Sequence, residues 1–339
     1  MKVIQLVALG SGSLKCGVVD YARKLAAALG DHQADATIVD VGEWNGRGID
    51  RLKQAMQGQE GAIVHIQYPT LNMGKTPWVA LVPWIFRRSR VFMTLHEFEI
   101  FSLARKIYML PYALFAERII CTNEREMSRV HAFYPFARKK TQLIPIAANT
   151  PDIADFPQER TGVVYFGQIS EGKGIDAYLD AVRIIRETDT HLPCAIVGAV
   201  VDPETPILQR IQREKDAIGL QVFLNLPLDE VAQHLARNKV ALLPFPDGVS
   251  DKRGTALACL EAGLDLITVH GASTPAWWRT SSIATVHAAD AAHTVLGLHQ
   301  GQIEGPLAEP DNQKIKAAAL QERSWPQIAK RHAGLYGDA

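Results

Sequence analysis

The feature that most constrains the fold of this chain is a regular alternation of short, unbroken apolar runs with stretches whose apolar residues recur at helical spacing. Residues 3–9, 36–41, 62–67, 91–95, 118–122 and 142–146 are runs of the first kind. Residues 18–29 are of the second, with Val18, Tyr21, Ala22, Leu25 and Leu29 on one helical face. An unbroken apolar run predicts a strand covered on both faces, the condition of a parallel sheet. Such strands alternating with helices predict βαβ units and a doubly wound α/β fold. The pattern lapses over 147–161, which is polar and holds Pro151 and Pro157, and this predicts a linker. It then restarts, with strands expected at 162–167, 194–197, 222–224, 240–243 and 266–269 and helices at 174–187, 206–218, 228–237 and 255–263. A last helix is expected over 325–336, after a break around 304–311. At 339 residues the chain exceeds one core and fits two domains. The expected division is 1–150 and 162–318, joined by 151–161 and followed by a terminal segment 319–339.

Charge and composition narrow the partners. Thirty-six basic residues balance thirty-six acidic ones, so no global field recruits nucleic acid or coats a membrane non-specifically. Cys16, Cys121, Cys194 and Cys259 stand far apart, without zinc spacing, and predict reduced, buried thiols in a cytosolic protein. Residues 3–9 are too short for the apolar core of a secretory leader and run into turn residues. No stretch reaches the roughly 18–20 apolar residues that a membrane helix needs. The most lipid-friendly segment, 78–86 (WVALVPWIF), is interrupted by Pro83 and followed by Arg87-Arg88-Ser89-Arg90. It reads either as a buried helix with a charged end or as a shallow peripheral contact with an inner membrane face.

Two kinds of candidate site follow. Gly10-Ser11-Gly12-Ser13 succeeds the first strand, and Cys16-Gly17 opens the next helix. Glycines let N–H groups approach a phosphate, and a helix start adds partial positive charge. The spacing is neither the dinucleotide fingerprint nor a P-loop. A turn of this kind also serves simply to close a connection, so both readings stay open. Ligands of doubly wound sheets sit outside the carboxyl ends of the strands. Three such ends are polar here: His65 with Gln67 and Tyr68, then His96-Glu97, then Thr122-Asn123-Glu124. Together they predict a polar wall on the acceptor side, formed by Gln67, His96 and Glu97. A neutral His96 suits a sugar hydroxyl or a phosphate, and Glu97 suits a general base, although a lone strand-end histidine is more often structural.

In the second half, the strand at 162–167 runs into Gly167-Gln168-Ile169-Ser170-Glu171-Gly172-Lys173-Gly174. A lysine between glycines at a helix start predicts a phosphate contact. Further on, Asp247-Gly248-Val249-Ser250-Asp251-Lys252-Arg253-Gly254-Thr255 opens a helix beside two more cations. Glu261, about two turns into that apolar helix, needs hydrogen-bond partners, and ribose hydroxyls would supply them. Base recognition is expected after Val197-Gly198 and around 225–230.

At these residues the chain resembles the family-4 retaining glycosyltransferases of the GT-B fold over nearly its whole length. Cys16-Gly17-Val18-Val19-Asp20-Tyr21 is similar to the family's Gly-Gly-x-Glu helix start, and Thr94-Leu95-His96-Glu97 to its His-Asp strand end. Ile144-Pro145-Ile146-Ala147-Ala148-Asn149 resembles the segment before its linker. Phe166-Gly167 through Lys173-Gly174-Ile175-Asp176 resembles its phosphate loop, Leu260-Glu261-Ala262 the end of its Glu-x7-Glu motif, and Ser324-Trp325 with Tyr336 its closing helix. The resemblance implies two Rossmann-like domains facing across a cleft, with the terminal helix crossing back to the first. It implies a hexosyltransferase-type enzyme that moves a sugar from a UDP- or GDP-sugar to a glycan or lipid-linked acceptor in cell-envelope or exopolysaccharide assembly. His96, Lys173, Arg253 and Glu261 would be catalytic. Gly12, Gly17, Gly167, Gln168, Lys173, Gly198, Gly254, Thr255 and Glu261 would hold the donor. No cofactor or metal is expected, the nucleotide sugar being a co-substrate. Two positions depart from the pattern: Gln168 replaces an arginine, and Arg253 replaces the first glutamate of the pair. Arg253 is expected to provide the charge that Gln168 lacks. The competing readings are an inactive nucleotide-sugar-binding or scaffold subunit and a GT-B-type epimerase or phosphorylase.

Overall fold

The structure, a computed structural model, describes residues 1–8, 16–59, 61–70, 73, 76–150 and 159–337. Contacts divide the chain into two units, Met1–Asn149 with the segment from Glu322 onward, and Thr150–Gln321. The expected linker falls mostly on 151–158, outside the described residues. Its flanks belong to the units: Ala147 lies in the first unit's core, and the Arg160 guanidinium donates to the Ala262 (2.8 Å) and Gly263 (3.0 Å) carbonyls of the second.

The first unit's sheet comprises β1 (Lys2–Val7), β2 (Asp35–Asp40), β3 (Ile63–Tyr68), β4 (Val91–Leu95), β5 (Arg118–Cys121) and β6 (Thr141–Leu143), in the order β2-β1-β3-β4-β5-β6. Every neighbouring pair is parallel, so both faces of the central strands are covered, as their unbroken apolar runs require. Strand parity separates two cores. Ile4, Leu6, Val64, Ile66, Met93 and Leu95 point into one, against Phe98 and Tyr112. Val3, Ile63, Phe92 and Ile120 point into the other, against Tyr21 and Leu25 of helix Gly17–Leu29 and Ile328, Ala329 and Tyr336 of helix Trp325–Gly337. This second face also carries Gln5, His65, Gln67 and Thr94, all fully buried, with Gln5 beside His65 and Gln67 beside Thr94 in register.

The second unit's sheet comprises β7 (Val163–Ile169), β8 (Cys194–Val200), β9 (Leu220–Leu224), β10 (Val240–Leu243), β11 (Asp265–Thr268) and β12 (Ile283–Ala284), in the order β12-β11-β10-β7-β8-β9. Winding reverses between β7 and β10, which makes that pair the topological switch point where doubly wound sheets take their ligands. Helix Ile175–Thr188 buries Tyr178, Leu179, Val182 and Ile185 and packs on helix Ala288–His299. The latter, with Ala276–Ser281 and Pro310–Glu322, was not foreseen; Pro310–Glu322 starts inside the expected break and buries only Ala319. β7 runs two residues past the expected strand end. All four cysteines are buried and unbridged, and burial pushes the Cys121 thiol up to about 12, which keeps it protonated. No helix among the described residues is long and apolar enough to cross a membrane.

Candidate functional site

The switch point of the second sheet gathers most of the residues singled out for a phosphate. Past the end of β7, Gly172 (φ 73°) and Gly174 (φ 82°) turn the chain through the left-handed region, and helix Ile175–Thr188 begins directly after. A Cβ at Gly174 would overlap the Pro244 carbonyl oxygen at the end of β10, so this glycine brings the two strand ends together. Past β10, Gly248 (φ 86°) passes so close to Gly271 that neither has room for a side chain, which locks the loops after β10 and β11 backbone to backbone. Thr274 holds the same junction, its hydroxyl donating to the Val249 carbonyl (2.6 Å) and accepting from the Gly271 N–H (3.0 Å). Helix Gly254–Glu261 then starts, with Arg253 as its N-cap residue.

Tyr165 ties these parts into one constellation. Its buried hydroxyl donates to the Lys173 carbonyl (3.2 Å) and lies where a Cβ at Gly167 would meet it (3.1 Å). Burial pushes the Tyr165 phenol up, and the nearby Arg253 charge opposes that rise. Gly167, Lys173, Arg253, Gly254 and Thr255 are thus placed together; Lys173 and Arg253 are half-buried, while Gln168 is exposed on β7. Arg253 is held on two sides. Its guanidinium pairs with Asp247 Oδ1 (2.9 Å) and lies 4.4 Å from the Phe245 ring centroid. Asp251 Oδ1 accepts from both the Trp277 (3.0 Å) and Trp278 (3.2 Å) indoles, fixing the same loop from below. Two helix starts, one after Gly174 and one after a preoriented Arg253, thus stand at the switch point and suit an anion.

Gly198 pairs in register with Gly167, and its carbonyl accepts from the Asn225 N–H (2.8 Å). Asn225 is left-handed (φ 57°), and its side chain accepts from the Val200 N–H (2.9 Å), joining the ends of β8 and β9 where base recognition is expected. Glu261 departs from expectation. It is the last residue of its helix and exposed, roughly 12 Å along the axis from Arg253 at 1.5 Å per residue. At this exposed helix end the burial cost expected of an unpartnered carboxylate does not arise.

The first unit's polar wall is corrected more heavily. His65 is sealed in the core, its Nδ1 on the Tyr336 hydroxyl (2.5 Å) and its Nε2 on Thr94 Oγ1 (2.8 Å). Gln67 is also fully buried, its Nε2 donating to Gln5 Oε1 (3.3 Å) and its Oε1 meeting His96 Nε2 (3.1 Å). Gln67 is therefore a positioning residue for His96 and does not face an acceptor. Asn123 caps helix Glu124–Phe133 by accepting from the Glu126 N–H (2.9 Å). Of these polar strand ends, His96, half-buried with its ring edge on Tyr21 (5.3 Å), and the exposed Glu97 and Glu124 remain at the surface. Gly17 is exposed as the first residue of its helix, and Gly12 lies outside the described residues. Asn225 falls at the start of the stretch where base recognition is expected, whereas the part played by Tyr165 is not among the sequence expectations; an aromatic two residues before Gly167 is the signal for it.

No family model and no curated protein matches the chain. Solved structures do match over its full length. Anabaena HepE in complex with UDP superposes with a TM-score of 0.70 at 14% identity, covering 100% of both chains. A glycosyltransferase from Rickettsia africae superposes with a TM-score of 0.70 at 11% identity, covering 99% of this chain and 98% of its own. The pneumococcal O-GlcNAc transferase GtfA, in complex with UDP and GlcNAc, gives a TM-score of 0.59 at 16% identity over 85% of this chain and 59% of its own. The fold is that of the GT-B glycosyltransferases.

Proposed function

We propose that this chain is a retaining glycosyltransferase that moves a hexosyl group from a UDP- or GDP-sugar to a glycan or lipid-linked acceptor in cell-envelope or exopolysaccharide assembly, working at the inner membrane face as a peripheral protein. One observation carries the reading: at the switch point of the second sheet, the turn at Lys173-Gly174 that opens one helix and Arg253 that opens another are brought together around Tyr165. That set suits a diphosphate. Backbone N–H groups bind its oxygens, and the cations balance the charge that grows as it leaves. The bond from the anomeric carbon to the diphosphate oxygen breaks and leaves its electron pair on the phosphate. The acceptor oxygen forms the new glycosidic bond, and its proton passes to the departing phosphate. His96, held by Gln67, orients the acceptor. No resident cofactor or metal enters the scheme.

A structure of the same fold captured with UDP-glucose, that of Anabaena HepE, supports the choice of donor. A thermal-shift panel of UDP, GDP and their sugars tests it first. A ligand at a hundred times its Kd is expected to stabilise the protein by about 2.7 kcal/mol. No shift with any nucleotide would refute the reading. Donor turnover then separates the alternatives: none at all marks an inactive binding subunit, and turnover without an acceptor marks an epimerase.

A further inference from the structure

We infer that the first unit carries a lipid-docking face, built by residues 77–90, 103–115 and 135–140, that recognises an anionic bilayer surface. The short helical elements in these segments, Pro77–Leu81, Val82–Ile85, Leu103–Tyr108, Leu110–Phe115 and Pro135–Lys140, pack against one another and form one contiguous patch. Large apolar side chains stand out from it: Trp84 is 62% exposed, Phe115 64%, Leu103 65% and Phe136 56%, with Ile107 and Leu114 about half exposed. Monomeric proteins seldom leave so many bulky apolar groups together on one surface, and such patches mark interaction sites.

Charge selects the occupant. The three segments hold eight basic residues (Arg87, Arg88, Arg90, Arg105, Lys106, Arg138, Lys139, Lys140) and not one Asp or Glu, within a chain whose charges balance as a whole. Four of the eight are engaged in the fold. Arg90 donates to the Tyr336 and Leu335 carbonyls, Arg105 to the Tyr68 hydroxyl, Lys106 to the Glu99 carbonyl and Lys140 to the Leu114 carbonyl. Arg87, Arg88, Arg138 and Lys139 are exposed and flank the apolar tips. Aromatic and aliphatic tips ringed by cations, with no carboxylate to set a register against a folded partner, match an acidic headgroup layer. The element lengths allow insertion only to the headgroup and upper acyl region. Segments 77–90 and 103–115 of the patch follow β3 and β4 respectively, and His96 and Glu97 lie just past the end of β4. The inference deepens the reading of a lipid-linked acceptor but needs no catalysis to be tested.

Co-sedimentation of the full chain with vesicles of phosphatidylcholine alone, or mixed with phosphatidylglycerol, decides it. Binding is expected only to the mixed vesicles and is expected to weaken with added salt. Trp84→Ala with Phe115→Ala, and separately Arg87→Glu with Arg138→Glu, should each lower partitioning at least about tenfold. Val286→Ala, an exposed apolar residue of the second unit, should leave it unchanged. A nucleotide thermal shift equal to that of the parent keeps each variant's fold and the donor reading separate from the result. Equal vesicle binding by parent and variants, or none by the parent, overturns the inference. So does a concentration-dependent dimer abolished by Trp84→Ala, which would make a second copy the occupant.

Discussion

Gly174 holds φ 82° with the Pro244 carbonyl against the space a side chain would need, whereas Gly172 holds φ 73° with open space around it. Gly172→Ala is therefore expected to cost about 1 kcal/mol for the left-handed backbone alone. Gly174→Ala, which adds a backbone overlap, is expected to cost about 2 kcal/mol or more. Urea midpoints at unchanged slope measure the difference, and equal losses would show that the approach to Pro244 is not the constraint. Arg253 lies beside that turn already oriented by Asp247 and Phe245. Arg253→Ala is expected to raise the nucleotide Kd about tenfold, since a charge-assisted contact is worth roughly 1.5–3 kcal/mol. Titration calorimetry reads it directly, and an unchanged Kd would assign the phosphate charge elsewhere. At this scale the sequence is half legible. Gly-Lys-Gly at a helix start announces an anion site, because the chemistry is local. His65 and Gln67 look like polar strand ends and are core residues, because what covers His65 is Tyr336, 271 positions away.

At the scale of elements, helix Trp325–Gly337 brings His332 within 5.6 Å of His65, ring to ring, inside the first unit. Burial depresses both imidazoles, His332 to about 4, and each positive charge would further disfavour the other. The folded unit therefore refuses protons that an unfolded chain accepts below about 6.5. Stability is expected to be unaffected by this pair above that pH and to fall as pH drops below it, the His332 contribution reaching up to about 3 kcal/mol and levelling off below about 4. His332→Gln should flatten the slope in urea unfolding across that window; an unaltered slope would place the acid sensitivity in other groups. Strands were legible because unbroken apolar runs survive any change in neighbours. Helix Pro310–Glu322 was not, because it buries one alanine and so has no apolar period to find. The two-residue extension of β7 was hidden because Gly167 reads as a strand end, whereas Gln168 and Ile169 continue the pairing with β8.

At the scale of the whole molecule, a bound nucleotide is expected to protect one unit and not the other. Hydrogen exchange at a hundredfold excess over Kd should slow by about a hundredfold in the loops 170–174 and 248–254, while the first sheet's amides stay as they were. Protection confined to the first unit would relocate the donor site. The division of the chain carries a further meaning for how the protein is made. Ile328, Ala329 and Tyr336 complete the core that begins at Val3, so nearly the entire chain has left the ribosome before that face can close. The second unit is contiguous in sequence and has all its strands earlier. The half that is translated first is finished last, and until then Gln5, His65 and Phe92 wait uncovered for helix Trp325–Gly337.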